Sequence, residues 1–119
     1  MSSTLKESMI SIGVMLDEKK VPSRIRWTAT DSTADDMQQA KAMLLNFWDG
    51  EEKAALRIDL WTNEMMVDEM VDFYYQTFMG MADSLDRSTG QKELSEDLRS
   101  FAQKFFQKFQ ETQRKEKAL

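Results

Sequence analysis

From residue 8 to residue 16 the chain alternates. Ile10, Ile12, Val14 and Leu16 fall on one side, and Met9, Ser11, Gly13 and Met15 on the other. A period of two predicts a strand with one clean apolar face and one mixed face. Residues 17–20 form a charged turn, after which Val21 and Pro22 open a second strand. Pro22 lacks an N–H and therefore belongs at a strand's first residue or on an edge. Over residues 23–28, Ile25 and Trp27 point one way while Arg24, Arg26 and Thr28 point the other. The short connection predicts that these two strands are antiparallel neighbours.

Further along, Met37, Ala40, Leu44, Phe47 and Trp48 recur at three- and four-residue spacing and predict the buried stripe of a helix. Thr33 is its expected cap, Asp35 and Asp36 suit its positive N-terminus, and Asp49-Gly50 its stop. A strand over residues 54–61 follows, with Ala54, Leu56, Ile58 and Leu60 alternating with Ala55, Arg57, Asp59 and Trp61. Val67, Met70, Val71, Tyr74, Phe78, Met81, Ala82 and Leu85 then mark the most apolar helix, widened by Phe73, Tyr75 and Met79. Such a wide apolar arc predicts a central helix covered from two sides, ending near residues 87–90. A last helix begins between residues 91 and 95, with Leu94, Leu98, Phe101, Ala102, Phe105 and Phe109 as its stripe and Phe106 beside it. Gly80, without a side chain, is expected to let this helix approach the central one closely.

The order is strand, strand, helix, strand, helix, helix. It predicts an α+β fold of two layers, a three-stranded, mainly antiparallel sheet with helices on one face. A helical crossover would make the third strand parallel to the second and place it beside the first, giving sheet order 2-1-3. One domain is expected over residues 1–119, loose at 1–7 and 110–119.

Composition narrows the chemistry. Apolar residues make up 41% and charged residues 31%, which fits neither a disordered chain nor a membrane-embedded one. The start, MSSTLKESM, has no basic segment followed by an apolar core, so no signal peptide is expected and cytoplasmic residence follows as the default. There is no cysteine and no histidine. Disulfides, thiolate nucleophiles and the commonest neutral-pH acid/base group and transition-metal ligand are therefore excluded. A net charge of −5 argues against nucleic acid as a partner. The ten methionines serve as core filler or as an adaptable binding surface.

Three clusters invite a functional reading. Arg24, Arg26, Arg57, Asp59 and Trp61 share one parity of their strands, and so are expected on one sheet face opposite the helices. Arginine forks beside an indole are enriched at protein interfaces. The same residues are compatible with a solvated face in which an arginine pairs with Asp59, or with a small-anion site. Glu64, Asp68, Asp72 and Glu69 gather carboxylates on one helical face. A straight helix offers few converging oxygens for Ca²⁺ or Mg²⁺, so no metal and no cofactor is expected. Lys104, Lys108, Arg114, Lys115 and Lys117 lie near Phe105, Phe106 and Phe109. A basic amphipathic end can lie on a membrane, but core rings with lysines complementing the helix C-terminus explain it, and membrane contact is not expected.

Four blocks carry a resemblance. They are Asp17-Glu18-x-Lys20-Val21-Pro22-x-x-Ile25-x-Trp27, Ala40-Lys41-Ala42-x-Leu44-Leu45-x-x-Trp48-Asp49, Leu56-Arg57-Ile58-Asp59-Leu60-Trp61-Thr62-x-x-Met65-x-Val67-Asp68-Glu69-Met70, and Phe78-x-x-Met81-Ala82-Asp83-x-x-x-Arg87. Together they resemble the gliding motility-associated GldC family, over roughly residues 8–105. The third block is the most specific, and the basic tail past Phe109 departs from the pattern. The resemblance implies a small soluble protein of Bacteroidota linked to gliding and the associated type IX secretion apparatus. It supplies no catalytic residue and no cofactor. The reading is a non-enzymatic accessory or adaptor protein working through contacts with proteins of the gliding machinery, with self-association into a homo-oligomer as a first use of the Arg24, Arg26, Arg57, Asp59 and Trp61 surface. A secretion-chaperone-like role and a small-anion binder using the arginines remain as alternatives.

Overall fold

The computed structural model describes residues 5–33 and 36–117. The loose start expected at residues 1–4, and Asp35 of the expected helix cap, lie outside the described residues. The chain divides into two compact units, Met1–Met65 and Met66–Leu119, the first of strands and the second of helices. Its class is α+β, as expected, but the strands and helices are segregated along the sequence, five strands before two helices among the described residues.

The first unit is an antiparallel meander. Strands β1 (Ile10–Leu16), β2 (Pro22–Ala29) and β3 (Gln38–Ala40) form one sheet in that order; β4 (Ala42–Asp49) and β5 (Ala54–Trp61) form a second. Ile12 pairs with Trp27 and Val14 with Ile25, so the apolar faces of β1 and β2 coincide. Ile25, 1% exposed, is their best-buried side chain. Pro22 opens β2, where its missing N–H leaves no ladder bond unmade.

Tight turns fix these registers. Asp17 Oδ1 accepts the amides of Lys19 and Val21, and Lys20 takes a left-handed conformation with φ 64°. At the β4–β5 turn Asp49 Oδ1 accepts the amides of Glu51 and Glu52, while the Asp49 carbonyl accepts that of Lys53. The left-handed residue here is Lys53, φ 53°, and not Gly50.

Three expectations are overturned. Residues 37–48 form no helix; after Met37 the chain runs through β3, Lys41 and β4. The apolar run Ala42-Met43-Leu44-Leu45 supplies side chains to both faces of a strand, and a run apolar on both faces also satisfies a three-and-four spacing. Asp49-Gly50, expected as a helix stop, is instead the start of a hairpin turn. The 2-1-3 order fails with the helix, because nothing remains to carry the chain across a sheet. Residues 54–61 pair antiparallel with β4, and lie neither parallel to β2 nor beside β1.

The second unit is a helical hairpin, α1 (Val67–Thr89) and α2 (Lys92–Lys117). Gly90 ends α1 in the left-handed conformation, φ 69°, with its amide on the Asp86 carbonyl at 2.8 Å. Ala82, Ser95 and Ala102 are buried, so the helices approach through small side chains. Around them the aromatic rings interlock. Phe78 meets Phe101 and Phe105 edge-on, and Tyr75 lies 4.7 Å from Phe106 between centroids. Gly80, expected at the close approach, is exposed with nothing within 4 Å of a Cβ built on it. Ala82, two residues on and therefore on nearly the opposite face of α1, performs that role instead. Val67, Met81, Leu94 and Phe101 are exposed members of the expected stripes. The helix also persists through Lys117, beyond Gln110 where the apolar pattern weakens.

Candidate protein-contact surface

In an antiparallel ladder, residues directly opposite one another project to the same face. The β4–β5 register therefore puts Ala42, Leu44, Asn46 and Trp48 on one face with Trp61, Asp59, Arg57 and Ala55. The opposite face carries Met43, Leu45 and Phe47 with Leu60, Ile58 and Leu56. The parity read from residues 54–61 thus separates Arg57, Asp59 and Trp61 from the aliphatic set within β5. Arg57 and Asp59, two apart on that strand, form an ion pair. At each end of the charged pair an indole stands opposite an alanine, Trp48 to Ala55 and Trp61 to Ala42.

Arg24 and Arg26 belong to the other sheet. Their face of β2 carries Met15 and Gly13 of β1 as direct partners, and Gln39 of β3 lies opposite Arg26. The Arg26 guanidinium donates to Met15 Sδ at 3.3 Å. Arg24 lines a polar hollow with Ser23, Gln39, Lys41, Thr62 and Glu64. The structure thus joins Arg57 to Asp59, and places Arg24 and Arg26 together on β2, on strands of two different sheets.

Lys41 is where the two sheets meet. Its carbonyl accepts the Thr62 amide at 2.8 Å, and the Pro22 carbonyl accepts the Asn63 amide at 3.2 Å. The segment leaving β5 therefore fills the place beside β2 that the third strand vacates. Thr62 is 2% exposed, and its Oγ1 has no hydrogen-bond partner among the described residues.

Sequence reasoning missed two members of the exposed surface. Phe47 and Trp48, expected in a buried stripe, are 57% and 69% exposed. The available signal was the pair of adjacent aromatics just before Asp49-Gly50, a composition that favours a hairpin strand over a helix end. Leu56, Ile58 and Trp61 are also at least half exposed. Large apolar side chains are therefore open on both faces of one hairpin. Elsewhere, Asp68 and Asp72 bond locally, to the Glu69 amide and to Gln76. Among the described residues no group of three acidic, histidine or cysteine side chains is placed to hold a metal ion, and no helix is long and apolar enough to cross a membrane.

A family model described as gliding motility-associated protein GldC-like matches residues 22–111. The chain belongs to the GldC-like family. The GldC-like match runs from the first residue of β2 into the last turns of α2, so it spans both compact units and all five candidate surface residues. The family's description ties the chain to gliding motility. No curated protein and no solved structure matches it.

Proposed function

We propose that this GldC-like protein is a non-enzymatic, cytoplasmic accessory or adaptor of the gliding machinery and its associated type IX secretion apparatus in Bacteroidota, acting through protein contacts as a single functional unit. The observation that carries this reading is the β4–β5 hairpin, with Phe47, Trp48, Leu56, Ile58 and Trp61 all at least half exposed. A two-stranded hairpin is marginal by itself, and apolar side chains concentrated on it gain most when a partner covers them. Tryptophan flanking an arginine–aspartate pair is the composition of interface centres.

The test compares tagged wild type with Arg57→Ala/Trp61→Ala in pull-downs from a gliding host. Components of the gliding machinery are expected with the wild type and lost with the double variant. Equal recovery from both would remove this surface from the reading. A thermal stabilisation that saturates with inorganic phosphate or a small carboxylate would favour the anion-binding alternative instead.

A further inference from the structure

The outer edge of β5 carries a charge pattern that is its own complement. The strand reads Leu56-Arg57-Ile58-Asp59-Leu60, apolar residues symmetric about Ile58 and charges of opposite sign on either side of it. Among the described residues β5 pairs with β4 and with no other strand. An open strand edge is a template for another strand. We infer that two copies of this chain pair edge to edge, β5 antiparallel to β5, about a twofold axis at Ile58. This deepens the protein-contact reading and rests on it, by naming a second copy of the chain as the partner.

The charges select among the registers centred on Arg57, Ile58 or Asp59. A twofold axis perpendicular to the sheet keeps each residue on the same face in both copies, so only residues of equal parity can stand opposite one another. Centring on Arg57 sets two guanidinium groups face to face, and centring on Asp59 sets two carboxylates; like charges directly opposite destabilise a ladder. Centring on Ile58 places each Arg57 opposite the second copy's Asp59, twice. It places Leu56 opposite the second copy's Leu60, and Trp61 opposite its small Ala55. The existing β4–β5 register then extends the match. Leu45 stands opposite Ile58 within each copy, so a continuous apolar row of Leu45, Ile58, Ile58 and Leu45 crosses the four-stranded sheet. The other edge strands lack this property. Neither Ile10–Leu16 nor the residues 42–48 of β4 contain a charged side chain to fix a register.

Charge reversal tests it on the full-length chain. Sedimentation equilibrium of the wild type should give twice the chain mass. Arg57→Asp alone and Asp59→Arg alone each place like charges opposite one another and should give monomer. An equimolar mixture of these two variants should recover dimer, because every pair across the axis is again of opposite sign. The double reversal, Arg57→Asp with Asp59→Arg, should dimerise by itself. A wild type that is monomeric at its highest soluble concentration overturns the inference, as does a mixture that stays monomeric while both variants retain wild-type circular dichroism.

Should either variant lose its fold, cross-linking decides. The chain has no cysteine. Ile58→Cys would set two thiols on opposed residues whose Cα atoms are about 4.5–5.5 Å apart, inside disulfide range. Mild oxidation should convert it to covalent dimer several-fold faster than Ile12→Cys on the β1 edge, and equal rates overturn the inference. The two readings fail separately. A monomeric wild type that still captures gliding components removes the dimer alone, whereas a register-dependent dimer that captures none removes the adaptor role alone.

Discussion

Phe78 on α1 and Phe105 on α2 meet edge-on, with ring centroids 5.3 Å apart and planes at 84°. That geometry aligns the positive rim of one ring with the negative face of the other. The contact sits among Phe101, Tyr74 and the buried Ala82 and Ala102, so the helical hairpin is held by an aromatic layer over a floor of small side chains.

Phe105→Ala removes this ring. Full burial would make the cost about 3–5 kcal/mol. Phe105 is only half-buried, and a loss of about 2 kcal/mol is expected. The urea midpoint should fall with an unchanged slope, and liposome binding should not change. A variant as stable as the wild type but weaker on liposomes would make α2 a membrane element.

Gly80→Ala should stabilise the protein by about 0.5–1 kcal/mol, because an exposed glycine within α1 costs backbone entropy and no neighbour crowds its Cβ position. Ala82→Leu, two residues on, should instead cost about 1–3 kcal/mol by overpacking. Thermal melts of the two variants should therefore move in opposite directions. Equal shifts would misplace the helix crossing.

Thr62→Val replaces a buried, unpartnered hydroxyl with a methyl group of similar shape. It should leave stability unchanged or raise it by about 1 kcal/mol, since a polar atom without a partner retains its desolvation cost. A clear loss of stability would mean that Oγ1 is bonded in solution.

Lys53→Gly should stabilise the β4–β5 turn by about 0.5–1 kcal/mol, because a side chain at φ 53° bears a steric cost that glycine lacks. Asp49→Ala should do the reverse, costing about 1 kcal/mol through loss of the acceptor for two turn amides. Both are read from denaturant midpoints. Matching signs would show that the turn does not limit hairpin stability.

The strands β1, β2 and β5 and both long helices were legible in the sequence because each carries a single period. Ile10, Ile12 and Val14 alternate without interruption; Tyr74, Phe78, Ala82 and Leu85 hold a helical stripe. Residues 37–49 were not legible, because β4 is apolar on both faces and both periods fit it. The same ambiguity hid Phe47 and Trp48, which a helical reading buries and the hairpin exposes. Parity alone sorted Arg57, Asp59 and Trp61 from Leu56 and Ile58 within β5. It could not reveal that Arg24 and Arg26 lie in a separate sheet, because strand pairing depends on the chain's path at Lys41 and no residue pattern encodes that bend.

Each described strand pairs with a strand next to it in sequence, and α1 packs against α2 across two residues. The parallel crossover expected from the sequence would have required distant segments to find one another before any ladder bond formed. The meander needs only short loop closures, each completed soon after its second strand is available. Such a topology, rich in local contacts, favours rapid folding. Among the described residues it also leaves β5 as the last strand, with no other strand paired along its outer edge.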